Sequence, residues 1–271
     1  MAWDKIVTAD VVVQRCIEQL GLYQKMNRSY DALVEPGATS VRRPRLSLLT
    51  VRKNTGAAYG DVTRKKAKAD TTMVETGLDV YAVGIANEMA ARFESNQFLL
   101  NNYEISMAMA LQEQFDADSI VAAQAGGVDD TFAASGVLAW GDLIKGNKIM
   151  TQNKVPRDSR IQIIPSNLED QFLSLDVIQR AIAYGTLVNV SKGKFIQLAD
   201  MTYYITALSP LIGGKDVVTT IYCPGLAFIL SNFGVIEDAY DATNLGHVYD
   251  MLAHAAAELD DPKFGVVIAD K

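Results

Sequence analysis

Residues 131–175 read TFAASGVLAWGDLIKGNKIMTQNKVPRDSRIQIIPSNLEDQFLSL, and this stretch decides the fold. Trp140, Leu143 and Met150 recur at helical spacing, whereas Pro156 cannot continue a helix, so we predict a helix that ends by Asn153. The segment 160–164, RIQII, is typical of a short strand that Pro165 closes. The pattern therefore predicts a helix, a Val-Pro turn and a strand.

A second helix is predicted directly after this strand. Ser166 and Glu169 have the spacing of a capping box, in which the two side chains satisfy free backbone amides at a helix start. One apolar stripe then follows at helical spacing. Its members are Leu168, Phe172, Leu175, Ile178 and Ile182. The whole stretch is thus an αβα unit of a mixed α+β domain.

The composition is that of a globular protein. The 271 residues, 49% hydrophobic and 21% charged, suffice for one large domain or two intertwined subdomains. The sequence has no apolar run of the ~18 residues that a membrane span needs, and MAWDKIVTAD lacks the features of a signal peptide. We therefore expect a protein made and kept in a cytoplasm. Cys16 and Cys223 are far apart, which favours two buried thiols over a disulfide or a zinc site.

Charge is unevenly distributed along the chain. Residues 41–68 carry nine basic side chains and one acid, a net +8, and since the whole chain is −7 the remainder is −15. The basic residues are Arg42, Arg43, Arg45, Arg52, Lys53, Arg64, Lys65, Lys66 and Lys68. Such a segment is suited to an acidic partner surface or a polyanion. A solvated basic loop is the alternative.

The N-terminal region predicts a short amphipathic arm. Val13, Ile17 and Leu20 recur at helical spacing after Asp10, and the pattern fades near 30–36. Such an apolar stripe suits docking on another subunit, and it equally suits packing on the later part of the same chain.

The region 36–68 predicts an extended hairpin. Leu46, Leu48, Leu49 and Val51 favour a strand, the segment 54–61 (NTGAAYGD) is a Gly-rich tip, and the basic run returns the chain. The segment 71–95 fits neither strand nor helix cleanly.

The strongest helix pattern covers 101–124. One stripe contains Met107, Leu111, Phe115 and Ala122, and a second contains Ile105, Met109 and Ile120, so we expect both sides to be buried. Gly126 and Gly127 end this helix.

Downstream, short strands are predicted at 195–198, 201–208 and 217–223. The segment 242–262 (ATNLGHVYDMLAHAAAELDDP) is predicted to contain a helix that Pro262 ends, and 263–271 a last strand at a sheet edge. The apolar face of that helix would contain Val248, Met251, Leu252, Ala255 and Leu259.

Catalytic chemistry finds little support in the sequence. His247, Asp250, His254 and Glu258 would share one face of the predicted C-terminal helix, but seven helical residues rise about 10 Å, too far for one metal ion to reach both imidazoles. The sequence contains no P-loop, GxGxxG, GxSxG or HExxH motif. We therefore predict no catalytic, metal-binding or cofactor-binding residues.

The 131–175 stretch resembles the axial-domain segment of tailed-phage major capsid proteins with the Hong Kong 97 fold. In that family a helix leads into a Val-Pro turn, an Arg-containing strand ending in Pro, and a Leu-rich helix. A basic hairpin followed by a long helix is similar to the family's extended loop and spine helix. The resemblance implies an N-terminal arm (1–40), an extended β-hairpin loop (41–90), a peripheral domain (91–130 and 246–271) and a mixed axial domain (131–245).

The function implied by this resemblance is a major capsid protein rather than an enzyme. Copies would assemble in the host cytoplasm into hexamers and pentamers of a virion head around double-stranded DNA, which the inner surface would meet non-specifically. Scaffold, portal or decoration proteins would be further partners, and a membrane would not. A related shell compartment and a cytosolic α/β enzyme with a dispersed active site are the alternatives. The expected assembly-interface residues are Val13, Ile17, Leu20, Arg42, Arg43, Arg45, Arg52, Lys53, Arg64, Lys65, Lys66, Lys68, Pro156 and Arg157.

Overall fold

A computed structural model describes residues 21–35, 38–46, 71–87, 97–183, 195–198, 201–241 and 246–271. Its helices are α1 (Gln97–Ala123), α2 (Trp140–Gln152), α3 (Glu169–Ser174) and α4 (Asp176–Ala183). Its strands are β1 (Ser40–Leu46), β2 (Thr71–Gly77), β3 (Asp79–Asn87), β4 (Asp130–Thr131), β5 (Arg160–Pro165), β6 (Phe195–Leu198), β7 (Met201–Thr206), β8 (Val217–Tyr222), β9 (Leu226–Asp241), β10 (Gly246–Leu259) and β11 (Gly265–Ala269). This is a mixed α+β architecture, as predicted.

Within these ranges the strands form three sheets. The orders are β1-β2, β3-β10-β9 and β4-β11-β8-β5-β7-β6. In the six-stranded sheet, β5 pairs with β7 in parallel and with β8 antiparallel, and it is buried along its whole length. Because side chains alternate along a strand, Ile161 and Ile163 join the core under α1 while Ile164 joins the core under α2 to α4.

The helix, turn and strand predicted in 140–165 are confirmed. The helix α2 ends at Gln152 with Asn153 as its C-cap, and Pro156 lies outside it. The predicted capping box is wrong, because the 3₁₀ turn Ser166–Leu168 precedes α3 and no side chain caps either start. The predicted second helix is also broken at Leu175, whose extended ψ of 129° separates α3 from α4.

The long helix α1 is confirmed within a few residues of its predicted limits. Met107, Leu111 and Phe115 are buried, and the Phe115 ring packs edge-on against Tyr23 and Phe228 at centroid distances of 5.6 and 5.4 Å. Burial of both predicted stripes is wrong at Met109, which is 51% exposed.

The segment 246–259 is a strand, not the predicted helix. Strand β10 pairs antiparallel with β3 on one side and with β9 on the other. Met251, Ala253 and Ala255 alternate on the face buried beneath α1, with a bulge between Leu252 and His254. Pairing on both edges over most of β10 satisfies backbone groups that a helix would have satisfied internally, and it overrides the helix preference of the alanines.

The last strand is also placed differently from the prediction. Strand β11 lies between β4 and β8, not at a sheet edge. It therefore shares a sheet with β5, while β9 shares one with β10, so the sheets cross the predicted limit between 245 and 246.

The segment 21–35 packs within its own chain. Leu22, Tyr23 and Met26 are buried in the core under α1, and the Tyr23 amide donates to Asp116 Oδ1 at 2.9 Å. The Asn27 amide also donates to the Leu226 carbonyl at 2.9 Å. The predicted arm could dock on another subunit or pack on its own chain, and the residues of 21–35 pack on their own chain. Val13, Ile17 and Leu20 lie outside the described residues.

Candidate assembly interface

Strands β1 and β2 form the base of an antiparallel hairpin, with Ser40 opposite Gly77 and Leu46 opposite Thr71. Side chains alternate between its two faces. Val41 and Arg43 point to the body, by which we mean the rest of the same protomer, and are buried. Arg42 lies on the outer face opposite Glu75.

Arg43 is held by two acidic side chains from the end of β10 and just beyond it. Its Nη2 lies 2.9 Å from Glu258 Oε2, and its Nη1 donates to Asp260 Oδ1. Its Nε donates to Thr76 Oγ1 at 3.1 Å, and Thr76 in turn donates to Glu258. The guanidinium carbon also lies 5.5 Å from the Tyr30 ring centroid, within cation–π range.

These contacts keep Arg43 charged. Burial by itself lowers the pKa of Arg43, but the hydrogen bond to Glu258 and the charges of Asp260 and Glu258 outweigh burial and raise that pKa. Because the side chain is only 1% exposed in the single chain, Arg43 is not part of an exposed basic surface, contrary to the sequence-based expectation.

The outer face of the hairpin base is accessible. Arg42 and Glu75 form an exposed ion pair at 3.6 Å, and Met73 is 62% exposed on the same face. Arg45 lies in β1, but its side chain is outside the described part. The remaining predicted basic residues are also outside it: Arg52, Lys53, Arg64, Lys65, Lys66 and Lys68.

The Val-Pro turn presents Pro156 and Arg157 to solvent. Lys154 and Ser159, which flank Pro156 and Arg157, have positive φ angles of 61° and 63° that turn the backbone sharply. The turn is held from inside by Arg160, which is 2% exposed. The turn therefore places two of the predicted interface residues at the surface.

The side chain of Arg160 closes the C-terminal end of α2. Its Nε donates to the Pro156 carbonyl at 2.8 Å, and its Nη1 donates to the Asn147 carbonyl at 3.2 Å and to Thr151 Oγ1 at 3.0 Å. Nη1 also donates to Asn147 Oδ1, and Nη2 donates to the Val155 carbonyl. A cation at a helix C-terminus also interacts favourably with the helix dipole.

Sequence reasoning missed the partners of Arg43. Glu258 was predicted to lie on a helix, although it lies in β10, and no role was predicted for Asp260, which follows that strand. The available signal was the charge of Asp260 and Glu258 flanking Leu259, two residues apart as on one face of a strand.

Metal binding and membrane spanning find no support in the described part of the chain. Within it, no group of three or more His, Cys, Asp or Glu side chains could hold a metal ion, and no helix is long and apolar enough to cross a membrane. His247, Asp250 and His254 lie along β10, so the helical face that would have grouped them does not form.

The sequence matches no family model, and no curated protein matches it. The structure is similar to a solved chain from Mycobacterium phage Che8, with a TM-score of 0.62 and 15% identity over 92% of this chain and 91% of that one. For the capsid of Ralstonia phage GP4 the TM-score is 0.61, with 9% identity over 91% and 87%. For the holo-SrpI encapsulin complex from Synechococcus elongatus PCC 7942 it is 0.60, with 11% identity over 96% and 88%.

These likenesses cover 91–96% of this chain. Identities of 9–15% establish the architecture and not the activity. The chain therefore has the Hong Kong 97 fold, which solved capsids of tailed phages share with an encapsulin.

Proposed function

We propose that this chain is a shell-forming protein, many copies of which self-assemble into a closed icosahedral particle. The observation that carries the proposal is the large share of both chains over which the structures are alike. The likeness spans 91% of this chain and 87% of the phage GP4 capsid chain, and 96% and 88% for the encapsulin. The architecture shared with these shell proteins extends over the whole chain and not over one module. This favours a role in which the whole surface makes lateral contacts between copies over a role based on one local active site.

Within this class, our first candidate is the major capsid protein of a tailed phage, assembled in the host cytoplasm into a virion head around double-stranded DNA. Phage capsids with TM-scores of 0.61 and 0.58 support it. The second candidate is an encapsulin-like compartment, supported by the encapsulin likeness over 96% of this chain. In both cases the chain is structural and not an enzyme.

The proposed assembly units are hexamers and pentamers. We propose that residues 131–183, with the exposed Val-Pro turn at Pro156 and Arg157, belong to an axial region, and that the basic hairpin between β1 and β2 crosses to a neighbouring copy. The arm and peripheral region of the predicted division complete the contacts. Packaged DNA, scaffold, portal and decoration proteins are partners of the phage candidate.

The test is the oligomeric state of the purified protein. We expect size-exclusion chromatography and negative-stain microscopy to show megadalton shells or capsomer rings. Nuclease-protected double-stranded DNA inside particles from infected or induced cells would favour the phage head, and enclosed protein without DNA would favour the compartment. A protein that stays a monomer or dimer in all assembly conditions, with an enzymatic turnover, would support the enzyme alternative instead.

The basic hairpin supplies a second test of the same proposal. Replacing Arg64, Lys65 and Lys66 together by Glu should slow or block assembly, because a +8 segment is attracted to the −15 remainder of the next copy. Each exposed ion pair contributes only about 0.2–1 kcal/mol, but the contribution is repeated in every subunit. The Arg64, Lys65 and Lys66→Gln variant is the matched control and should show an intermediate defect.

The effect should weaken with salt, since screening at physiological ionic strength acts over about 8 Å. Circular dichroism of the protomer should not change. If the Glu variant assembles like the natural chain at low salt, electrostatic attraction is not what holds the hairpin, and its apolar residues become the better explanation.

A further inference from the structure

The hairpin base contacts the body through an apolar set and a polar set. Val41 and Leu78 pack with Ile229 and Ala256 in a small buried cluster, and Tyr30 packs against it. The Leu78 amide also donates to the Thr39 carbonyl at 2.9 Å. Apolar contacts of this kind are not directional, so they hold the hairpin against the sheet without specifying its angle.

The polar set is directional. The Arg43 fork bridges Glu258, in β10, and Asp260, and Thr76 ties the second hairpin strand to Glu258. The planar guanidinium presents its donors at fixed angles, so two carboxylates that bind it specify an orientation as well as a distance. A buried ion pair adds little net stability, since desolvation offsets most of the attraction, but it can select one geometry.

The joint between hairpin and body is short. Strand β2 ends at Gly77 and β3 begins at Asp79, so one residue, Leu78, connects the hairpin to the three-stranded sheet. From Ser40 to Leu46 the strand extends about 20 Å at roughly 3.3 Å per residue. A rotation of ~10° at Leu78 would therefore move the outer end of β1 by about 3–4 Å, which is enough to misplace a contact with a neighbour.

We propose that Arg43 is a positioning residue for assembly. Bound by Glu258 and Asp260, it sets the direction in which the hairpin leaves the body of the protomer. It does not itself contact the neighbouring copy. This inference rests on the proposed shell function. It gives two adjacent basic residues of 41–68 different roles, since Arg43 is buried inside the protomer while Arg42 faces outward.

The experiment compares two sets of substitutions in the full chain. Arg43→Met, Glu258→Gln and Asp260→Asn together remove the polar grip without leaving an unpaired buried charge. Arg42→Met with Glu75→Gln is the control, because it removes an ion pair from the same two strands on the opposite, exposed face. Hydrogen exchange of the dissociated protomer is measured in β1 and β2 and compared with β5 and β11, and closed particles are counted by electron microscopy.

We expect the triple variant to keep slow exchange in β5 and β11, to exchange about tenfold faster in β1 and β2, and to form fewer or irregular particles. The control should match the natural chain in the exchange of all four strands, and exchange is the measurement in which the two sets are compared, because Arg42 is itself one of the expected interface residues. Unchanged exchange in β1 and β2, or regular particles at natural yield, would overturn the inference. So would equally faster exchange in all four strands, which would indicate a general loss of stability.

Failure of the shell function is separately visible. If the natural chain itself forms no shells or rings, the proposed function fails and the assembly role of Arg43 fails with it. Exchange in the protomer would still report whether Arg43 holds the hairpin base.

Discussion

Arg43 and Arg160 are both buried arginines, but their charges are satisfied differently. Arg43 faces two carboxylates, whereas the hydrogen bonds of Arg160 described above go to neutral oxygens of α2 and the turn. Burial, and secondly the charge of Arg157, lowers the pKa of Arg160. Arg160 therefore acts as a multiple hydrogen-bond donor that joins the end of α2 to the start of β5.

We predict that Arg160→Met lowers the free energy of unfolding by about 2–4 kcal/mol, because the Val155 and Pro156 carbonyls of the turn lose the donors that Arg160 supplies. Urea denaturation followed by circular dichroism measures this loss. Arg157→Met, three residues earlier and exposed, should change stability by no more than about 0.5 kcal/mol. Equal losses in the two variants would contradict the role given to Arg160.

Alkaline pH should destabilise the protein through buried tyrosine and cysteine side chains, which are weak acids. Burial raises the pKa of Tyr203 to about 12, burial and the charge of Asp116 raise that of Tyr204 to about 12, and burial raises that of Cys223 to about 12. In the unfolded chain these groups ionise near pH 9–10, so their folded forms hold the proton more tightly. Their contribution to stability is complete below pH 9 and is lost as the pH rises to 12.

We therefore predict that the free energy of unfolding falls between pH 9 and 12, by about 1.4 kcal/mol per pH unit for each group whose proton the unfolded chain has lost. Urea denaturation at pH 8, 10 and 11 measures the slope. Tyr203→Phe should reduce the slope by one group. A free energy that stays constant from pH 8 to 11 would contradict the assignment.

Among the elements, α2 packs closely on the six-stranded sheet because it carries a glycine at the contact. A Cβ added to Gly146 would lie 2.2 Å from Thr220 Oγ1 and 3.2 Å from Thr220 Cβ. Rotation of Thr220 would not remove the second contact, and it would disturb the hydrogen bond that its hydroxyl receives from Gln162 Nε2 at 3.3 Å. Gly141 in the same helix has no atom within 4 Å of such a Cβ.

We predict that Gly146→Ala destabilises the protein by about 1–3 kcal/mol, since overpacking outweighs the gain in helix propensity. Gly141→Ala is the matched control and should be neutral or stabilising by up to about 1 kcal/mol. Thermal denaturation of the two variants separates packing from propensity. A stabilised Gly146→Ala variant would show that α2 can move away from β8 at little cost.

For the whole molecule, the N-terminal region contains two parts with different expected roles. Leu22, Tyr23 and Met26 are core residues, so deletion of residues 2–36 removes three buried side chains worth about 1.5–3 kcal/mol each. That sum is comparable to the 5–15 kcal/mol by which a domain is stable. Deletion of residues 2–20 retains all three of these side chains.

We predict that the 2–20 deletion folds but assembles poorly, because the apolar stripe of Val13, Ile17 and Leu20 docks on a neighbouring copy. The 2–36 deletion should not give a stable protomer. Circular dichroism and electron microscopy of both variants test this pair. Normal assembly of the 2–20 deletion would remove the arm from the interface.

The parts of the fold that the sequence predicted are those whose signals are local. The limits of α2, the turn at Pro156 and the strand β5 depend on a proline, an apolar period and side-chain alternation within 26 residues, and each survives in the structure. The long helix α1 was predicted for the same reason. Its exposed Met109 was not, because a helix pattern does not say how many of its faces a sheet will cover.

The candidate site was predicted only in part for the same physical reason. Composition alone shows that residues 41–68 are basic, but not that Arg43 turns inward while Arg42 turns outward, since that depends on the register of β1 against β2. Tertiary structure alone decided that the alanine-rich segment 246–259 is a strand. Its own residues only weakly prefer a helix, and pairing with β3 and β9 on both edges offsets that preference and brings Glu258 to Arg43 from 215 residues away.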